Sequence, residues 1–472
     1  MTTIAPTSES LLSVRGQVSP VLHVPYLYHE FEVPDGATTL TVSLRFHKKR
    51  RCQLFLSVFG PMNYRGTRMN PGGVGDIHLE LTFGAHSASP GALAGLIEPG
   101  RWRAQIDVES TEETAEYFLT VAAGFGESPT QTSPDPVTVN GRPGAGWYRG
   151  ELHAHTHHSD GRPTPGELAG AARRAGLDFV ALTDHFTPAG WAEIDHHAGP
   201  DLAVIHSLEL TGHRGHANLH GLNGWVDVFV DDPAKEWTVN DVARGVRDQG
   251  GVFCVNHAFS NSLGWQYHEF DWSLCGAFEI YHHLEGPNNA AQLIFWDGLL
   301  RAGHRITGVA GTDSHDPLAG RHRLGQVTTV INARNLTPAG LIDGVRKHRA
   351  YVSLGPELTF AAECGGERAD MGGELVLPGG HASPCRVRLL VEVGNLAHPT
   401  RLFVMKNGLY HTHLDLAASA APVQLEVLDP NPGPGYYRLE AYARAPQSGF
   451  SGGREWQNTL LLSNPIFIRG ES

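Results

Sequence analysis

The part of this chain that most constrains its fold runs from Trp147 to about Val352, where short apolar runs alternate with helical stretches. The apolar runs are DFVALTDH, LAVIHSLEL, GVFCVNH, AFEIYHH and ITGVAGTDSH, and between them lie TPGELAGAARRAG, TVNDVARGVRDQG, NNAAQLIFWDGLLRAG and TPAGLIDGVRKHR. Several helical stretches begin at Thr-Pro or another polar cap and end at glycine. Unbroken apolar strands that alternate with helices predict a parallel sheet buried on both faces, either a barrel or an open sheet.

Alternating patterns on either side of this region predict two antiparallel sandwiches. From about Tyr26 to Phe125, runs such as TLTVSLRF, CQLFLSVFG and IHLELTFG are separated by turn residues. From Glu357 onward, CRVRLLVEV, TRLFVMKNG and YYRLEAYAR repeat this pattern, and a segment rich in Pro, Gly, Ser and Thr at 126–146 is typical of a linker. We therefore predict a sandwich at 1–140, an α/β domain at 146–355 and a second sandwich at 356–472.

The composition favours a folded protein that acts on small molecules. The chain is 41% hydrophobic and 18% charged, which is ordinary for a globular protein. A net charge of −13 argues against a general nucleic-acid or anionic-membrane binder, although a small nucleotide remains a candidate substrate. The basic run RFHKKRRCQ, from Arg45 to Gln53, is interpreted as a solvated strand or hairpin rather than a substrate or nucleic-acid patch.

The sequence predicts a cytoplasmic protein. Its N-terminus has no apolar signal-peptide region, and no run approaches the roughly 18 apolar residues that a transmembrane helix needs. Five scattered cysteines without CxxC spacing fit a reducing compartment better than a disulfide framework. They are Cys52, Cys254, Cys275, Cys364 and Cys385.

Polar residues recur where the apolar runs of the α/β region end. Eighteen of the 28 histidines fall between His153 and His322. In a parallel α/β domain the carboxyl ends of the strands converge on one face, so residues far apart in sequence can meet in one pocket. The strand-end residues are His153, His155, Asp184, His185, Glu209, His257, Glu279, Asp313 and His315.

The stretch GELHAHTHHSDG, from Gly150 to Gly161, contains the densest set of candidate ligands. Residues i and i+2 of a strand project to the same face, so His153 and His155 can grip one ion. The Ser-Asp-Gly that follows predicts a turn, from which Asp160 can return an oxygen ligand to the site. His157 and His158 are expected at the pocket rim.

The motifs ELHAHTHHSDG, ALTDH, SLEL…GHANLHGL, CVNHAF and GTDSHDP occur in this order and together resemble the PHP superfamily, named for polymerase and histidinol phosphatase domains. The resemblance covers about Tyr148 to Leu354. The spacing within GHANLHGL and the closing SNPIFI look most like the CehA/McbA branch. The resemblance implies a distorted (β/α)7 barrel, here flanked by the two sandwiches, that carries two or three divalent ions.

The resemblance also implies three groups of metal ligands: His153, His155 and Asp313 for one ion; Glu209, which bridges to a second ion held with His216 and His257; and Asp160, His185 and His315 for a third. Ala258 stands where many relatives have proline after the histidine, and Asp160 stands where some have histidine. His213 and His220 are alternatives to His216 in the same segment. Asp313, Glu209 and His315 are the candidate catalytic residues.

Several neighbouring residues receive supporting or peripheral roles. Asp184 and Glu279 are expected to orient ligands, although Glu279 is equally well explained as an ordinary strand-end carboxylate. Arg214, Arg321 and Arg323 are candidate substrate clamps, because an arginine beside the site can bind a phosphate. Four further histidines of the region are expected at the rim or the surface: His196, His197, His282 and His283.

The expected activity is hydrolysis of a phosphoester by water that the metal ions activate. Mixed imidazole and carboxylate ligands suit Zn²⁺, Mn²⁺ or Fe²⁺. A carbamate or aryl-ester hydrolase is the enzymatic alternative, because the same centre can attack a carbonyl. The alternative of another class is a metal-stabilised binding protein whose sandwiches recognise a partner. The sequence leaves open whether the protein forms oligomers.

Overall fold

The computed structural model of the protein describes residues 7–20, 25–69, 73–126, 141–232, 235–261, 263–283, 286–317, 323–377, 386–444 and 458–470. Within these ranges the fold is mixed α/β, with many strands and few helices. Most of the predicted linker at 126–146 lies outside the described residues.

Eight strands at the N-terminal end form two antiparallel sheets, with orders β1-β8-β3-β6 and β2-β7-β4-β5. The strands are β1 (Thr7–Val18), β2 (Tyr26–Val33), β3 (Thr39–Lys48), β4 (Cys52–Phe59), β5 (Tyr64–Met69), β6 (Gly75–Gly84), β7 (Gly100–Thr111) and β8 (Ala115–Phe125). Inward residues of both sheets, such as Leu44 and Leu56, share one buried apolar core. We call this unit the N-terminal sandwich. The basic run extends from the last residues of β3 to the first residues of β4. Lys49, Arg50 and Arg51, which connect the two strands, are exposed.

The α/β region contains the predicted strands and the four long helices. Its strands are β9 (Arg142–Glu151), β10 (Phe179–Leu182), β11 (Ala203–Gly212), β12 (Gly215–His220), β13 (Val252–Val255), β14 (Ala277–His282), β15 (Thr307–Gly311), β16 (Thr328–Leu336) and β17 (Ala350–Ser353). Its helices are α1 (Pro165–Arg174), α2 (Trp191–Asp195), α3 (Val239–Asp248), α4 (Gly286–Arg301) and α5 (Pro338–Arg346).

Polar caps fix where three of these helices begin. Thr164 and Glu167 form a capping box at α1, with Pro165 in the first turn, and Thr238 caps α3 in the same way. The Thr337 hydroxyl accepts the Gly340 N–H at the start of α5. These side chains pair amide groups that the helix itself leaves unpaired, which confirms the helix starts predicted from Thr-Pro and polar caps.

The sheet of this region is not uniformly parallel. β9 pairs with β10, β10 with β11, β13 with β14 and β14 with β15, all in parallel. β12, however, is antiparallel to both β11 and β13. The prediction of a parallel sheet throughout is therefore wrong at β12, because β11 and β12 form a tight hairpin whose last pair is Gly212 opposite Gly215. It is also wrong at β16, which is antiparallel to both β9 and β17.

β9 and β15, the first and last of the seven strands β9 to β15, approach each other just beyond their carboxyl ends. An isolated parallel bridge joins Ala154, just beyond β9, to Ser314, just beyond β15. His155 donates its N–H to the Ser314 carbonyl over 2.9 Å, and Ser314 donates to the His153 carbonyl over 3.2 Å. Residues that lie 160 positions apart are thereby placed side by side.

The C-terminal strands continue the sheet of the α/β region, since β17 pairs with β26. A second sheet, β19-β18-β21-β24, packs against them around residues such as Leu389 and Leu439. The division of the chain into three domains stays a prediction. The strands are β18 (Glu357–Cys364), β19 (Glu367–Asp370), β20 (Glu374–Leu377), β21 (Val387–Gly394), β22 (Thr400–Lys406), β23 (Leu409–Leu416), β24 (Val423–Asp429), β25 (Gly435–Ala443), β26 (Thr459–Ser463) and β27 (Ile466–Gly470).

One cysteine departs from the expectation of a reducing compartment. Cys52, Cys254 and Cys275 are free and buried, but Cys364 is disulfide-bonded. Stable disulfides are typical of oxidising compartments, so the cysteine pattern does not support the cytoplasmic prediction. Among the described residues, no helix is both long and apolar enough to cross a membrane.

Candidate metal centre

The predicted ligands meet at the edge of the sheet where the parallel strands have their carboxyl ends and the antiparallel β12 begins. Each belongs to at least one of three groups of imidazoles and carboxylates, and the potential ligand atoms of a group lie within 4.8 Å of one another. β9 ends at Glu151, so His153 and His155 lie just beyond it on either side of the bridged Ala154. The three groups are His153, His155, Glu209 and Asp313; Glu209, His216 and His257; and His155, Asp160, His185 and His315.

The first group joins the residues that follow β9 to those that follow β15. Asp313 Oδ1 lies 2.9 Å from His155 Nε2 and 3.3 Å from His153 Nε2. Both histidines are fully buried. Both rings therefore lie against one carboxylate, although the two residues lie just beyond β9 and not within the strand. That they bind one ion stays a prediction.

Glu209 connects the first group to the second. Its Oε2 lies 3.4 Å from Nε2 of both His153 and His155. Its Oε1 faces the other way, 3.2 Å from His216 Nδ1 and 3.6 Å from His257 Nε2. The side chain is only 1% exposed. Its two oxygens thus address two separate sets of imidazoles, which is the arrangement of a bridging carboxylate.

The third group lies on the outer side of His155. Asp160 stands in the turn at residues 157–160, as predicted, and its Oδ1 lies 3.1 Å from His315 Nε2 and 3.4 Å from His185 Nε2. The His155 ring stacks between those of His185 and His315, with centroids 4.4 Å away in each case. His155 therefore belongs to both the first and the third group.

Several residues at these strand ends adopt backbone conformations that L-amino acids rarely use. Phe186, His257, His283 and Asp313 all have positive φ angles, of 61°, 25°, 26° and 50°. Such conformations persist only where the surroundings impose them, and they concentrate at functional sites. At Asp313 this conformation turns the carboxylate toward His153 and His155.

Opposite charges at close range dominate the electrostatics. Burial alone would lower the pKa of His153, but the carboxylates of Asp313 and Glu209 raise it well above its usual value. Burial would likewise raise the pKa of Glu209, yet the charges of His153 and His185 hold it well below its usual range. His155 differs, because burial and the nearby His315 and His185 lower its pKa to about 4. The cluster therefore favours ionised carboxylates beside at least one neutral imidazole, the forms in which these residues bind metals.

Buried polar atoms without hydrogen-bond partners test whether these residues fit a metal ion. Such atoms are costly to bury unless something else pairs with them. They include one atom in each of His153 (Nε2), Glu209 (Oε2), His216 (Nε2) and Asp160 (Oδ1). Nitrogen and oxygen donors in this mixture suit divalent Zn, Mn or Fe. The described residues thus fit divalent ions.

Glu279 supports the centre from behind. Its Oε1 lies 2.8 Å from His153 Nδ1, and its Oε2 accepts the N–H of His257 over 2.9 Å. An ionised carboxylate can only accept, so it places a proton on Nδ1 and leaves His153 Nε2 as the ligand atom. His282, expected at the rim, is instead buried, with Nδ1 3.3 Å from Glu279 Oε2.

The Asp184 carboxylate contacts the loop of Asp160, and the Asp184 carbonyl accepts the Glu209 N–H over 3.2 Å. Its Oδ1 accepts the Thr156 N–H over 2.7 Å and the Ser159 hydroxyl over 2.8 Å, and its Oδ2 accepts the Thr156 hydroxyl over 2.6 Å. These bonds hold the turn that carries Asp160, and the orienting role of Asp184 stays a prediction.

Sequence reasoning missed three residues that hold ligands in place. Glu151 accepts the N–H groups of His153 and Thr312, and Asn256 donates to Glu209 Oε1 over 3.0 Å. The Thr211 hydroxyl contacts His185 Nδ1. Glu151 and Asn256 lie next to strand-end motifs, so their position was the available signal. Nothing in the local sequence marks Thr211.

The other predicted peripheral residues divide into buried and exposed sets. His158 is buried and lies 3.3 Å from Glu193, and His283 is buried as well. His157 is half-buried, whereas His196 and His197 are exposed, as expected. His220 contacts Ser207 and His213 pairs with Asp107, so neither takes the place of His216.

Of the predicted arginine clamps, Arg214 is held by partners outside the three ligand groups. Arg214 pairs with Asp231 and Glu269, and its guanidinium covers the Tyr267 ring. Arg323 is exposed, and Arg321 lies outside the described residues. An arginine that reaches a ligand-bearing loop from outside the α/β region is Arg68, whose guanidinium donates to the His157 and Ser159 carbonyls. It belongs to the N-terminal sandwich, which sequence spacing could not connect to the site.

No protein-family model and no curated protein matches the chain. Among solved structures, it is similar to a two-domain protein from Bacteroides vulgatus that contains a predicted PHP-like metal-dependent phosphoesterase, with 14% identity, coverage of 71% of this chain and 100% of that one, and a TM-score of 0.39. It is also similar to an amidohydrolase from Chromobacterium violaceum, with 17% identity, coverage of 35% and 87%, and a TM-score of 0.26. Because these scores are low, the function proposed below rests on the side-chain geometry.

Proposed function

We propose that this protein is a metal-dependent hydrolase whose substrate is a phosphoester. The observation that carries the proposal is the position of Glu209, whose two oxygens face two different sets of imidazoles while His155 links the first set to a third. A purely structural site needs one closed set of ligands. Linked sets that share a carboxylate are suited to ions that act together on one substrate.

Each group is assigned one ion in this proposal. His153, His155 and Asp313 would hold the first, and Glu209 would bridge it to the second. His216 and His257 would complete the second set of ligands. Asp160, His185 and His315 would hold the third. The short distances within each group support this assignment, because its potential ligand atoms all lie within 4.8 Å of one another.

We further infer a distorted (β/α)7 barrel of the PHP type, in its CehA/McbA branch. Support for closure comes from the bridge between Ala154 and Ser314, at the two ends of the seven-strand row. The order of the ligand motifs along the sequence supports the family.

Exposure indicates the side from which the substrate enters. The side chains of Asp313 and Asp160 are each 19% exposed and that of His315 is 36% exposed. Those of Glu209, His153 and His155 are buried. Bound divalent ions would lower the pKa of water and neutralise the charge that develops on the attacked group. Asp313 and His315 line the open side, so the substrate would lie against them and against the ions that they would hold.

The proposal is tested by turnover of chromogenic substrates. Protein reloaded with Mn²⁺ or Zn²⁺ is assayed on aryl phosphate monoesters, aryl phosphate diesters and aryl carbamates. We expect hydrolysis of a phosphoester, and its loss in the double variant His153→Ala/His155→Ala. The matched control is His411→Ala/His413→Ala, because that pair has the same spacing on β23. Turnover of the carbamates alone would replace the phosphoesterase with a carbamate hydrolase, and no turnover by fully loaded protein would contradict both.

A further inference from the structure

The N-terminal sandwich contacts the loops that carry part of the metal centre. Its sheet β2-β7-β4-β5 and the loop around Gly91 face the turn of Asp160, the loop after His185 and the β11–β12 hairpin. We propose that Arg68 and Gly91 are positioning residues for the ligand group around Asp160, whose ion-binding role rests on the function proposed above.

Arg68 holds the first of these loops. From β5 its guanidinium donates to the His157 carbonyl and, over 3.4 Å, to the Ser159 carbonyl. These carbonyls belong to the turn that ends at Asp160. Burial lowers the pKa of Arg68, and the negative charges of Asp184 and Asp160 act in the opposite direction. The guanidinium therefore holds the backbone of the turn in place. It also lies close enough to the Asp160 carboxylate for the two opposite charges to attract each other.

Gly91 joins two loops at one point. Its N–H donates to His158 Nδ1 over 3.1 Å, and its carbonyl accepts the Thr187 hydroxyl over 2.9 Å. His158 precedes Asp160 by two residues, and Thr187 follows His185 by two. The φ angle of Gly91 is +84°, and a Cβ there would lie 2.3 Å from the Thr67 carbonyl oxygen and 2.9 Å from that of His158. Only glycine permits this close approach.

Packing and one ion pair extend the contact. The Phe55 ring of β4 lies 5.6 Å from that of Phe186, the residue after His185. In the β11–β12 hairpin, His213 Nε2 lies 2.8 Å from the buried Asp107 of β7. The sandwich thus contacts the loop that follows His185 and the β11–β12 hairpin, which carries His216.

The contacts are unevenly distributed among the three groups. Asp160 and His185, both of the third group, each lie two residues from a residue that is hydrogen-bonded to Gly91. In the second group, His216 lies three residues after His213, whose ion pair with Asp107 is left intact in the variants tested below. His153 is instead held by Glu279, which lies in the α/β region. Asp313 is held by the bridge at the neighbouring Ser314. Loosening the sandwich contact should therefore release the ion of the third group and leave the ions at Glu209 in place.

The test counts ions and does not depend on turnover. Wild type, Arg68→Ala and Thr187→Val are loaded with Zn²⁺, passed through gel filtration and analysed by mass spectrometry for zinc, with stepwise calorimetric titration of Zn²⁺ into the metal-free proteins. We expect each variant to lose one equivalent, or to bind its last equivalent at least about 10-fold more weakly. Arg68→Lys, which keeps a donor, should recover part of the loss.

Arg65→Ala is the matched control, because Arg65 lies on the same strand and donates to the Gly95 and Leu96 carbonyls within the sandwich. Its zinc content should equal that of wild type. Variants of Arg68 and Thr187 that keep the full content and affinity would overturn the inference, as would an equal loss in the control. Wild-type protein with full zinc content and no turnover would contradict the proposed function alone.

Discussion

Replacing Glu279 with glutamine changes one carboxylate oxygen into an amide and almost preserves the shape of the side chain. Glu279 accepts from His153 Nδ1 over 2.8 Å with one oxygen and from the His257 N–H over 2.9 Å with the other. Glutamine has one acceptor and one donor at these positions. Either His153 or His257 must then face an N–H group, and the orientation of one ligand is lost.

The magnitude follows from the role of carboxylates that orient metal-bound histidines. Losing such a partner weakens metal binding by roughly 10- to 100-fold, which is about 1.4 to 2.7 kcal/mol. Calorimetric titration of Zn²⁺ into metal-free Glu279→Gln should show this loss for the equivalents at His153 and His257. Circular dichroism checks that the variant remains folded.

Asp195→Asn is the control for this prediction. Asp195 also pairs with an imidazole over 2.8 Å, that of His206, but belongs to none of the ligand groups. Its zinc affinity should equal that of wild type. If Glu279→Gln binds zinc within twofold of wild type, or if the control weakens equally, the orienting role assigned to Glu279 is wrong.

Three further predictions concern stability. Arg438→Met leaves the buried carboxylates of Asp297 and Glu440 without their cation and should lower the free energy of unfolding in urea by about 3 to 5 kcal/mol. The change Arg388→Met, at an exposed ion pair, should lower it by less than about 1 kcal/mol. Burial lowers the pKa of His213 but Asp107 raises it to about 9, so the extra proton of the folded state makes stability fall by on the order of 2 kcal/mol between about pH 6.5 and pH 9. His213→Gln should remove this part of the pH dependence. Chelation of divalent ions should lower the thermal midpoint, Zn²⁺ should restore it with about 3 kcal/mol of stabilisation at a hundredfold excess over Kd, and an unchanged midpoint would contradict metal binding.

Strand-end positions could be predicted because they follow from local periodicity. Each apolar run that ends in a polar residue marks the place where a buried strand reaches the edge of the sheet. His153 and His155 needed only the i, i+2 rule, and Asp160 only the turn signal of Ser-Asp-Gly. The meeting of these residues with Glu209 then follows from the parallel arrangement.

Features that depend on long-range pairing could not be predicted. GHANLH lacks the β-branched and aromatic residues that signal a strand, and it becomes β12 because β11 and β13 pair with it on both sides. Arg68 lies about 90 positions before the carbonyls that it contacts. The pairing of β17 with β26 likewise joins segments whose sequences show only that each is a strand.

The central claim, that Glu209 bridges two ions, is tested most directly by the metal content of Glu209→Gln. Glutamine keeps one acceptor oxygen but loses the charge and the second oxygen, so it can serve only one set of imidazoles. Wild-type protein after gel filtration should hold at least two equivalents of divalent metal, and the variant should hold at least one fewer. Equal metal content in the two proteins, or less than one equivalent in wild type, would contradict the claim.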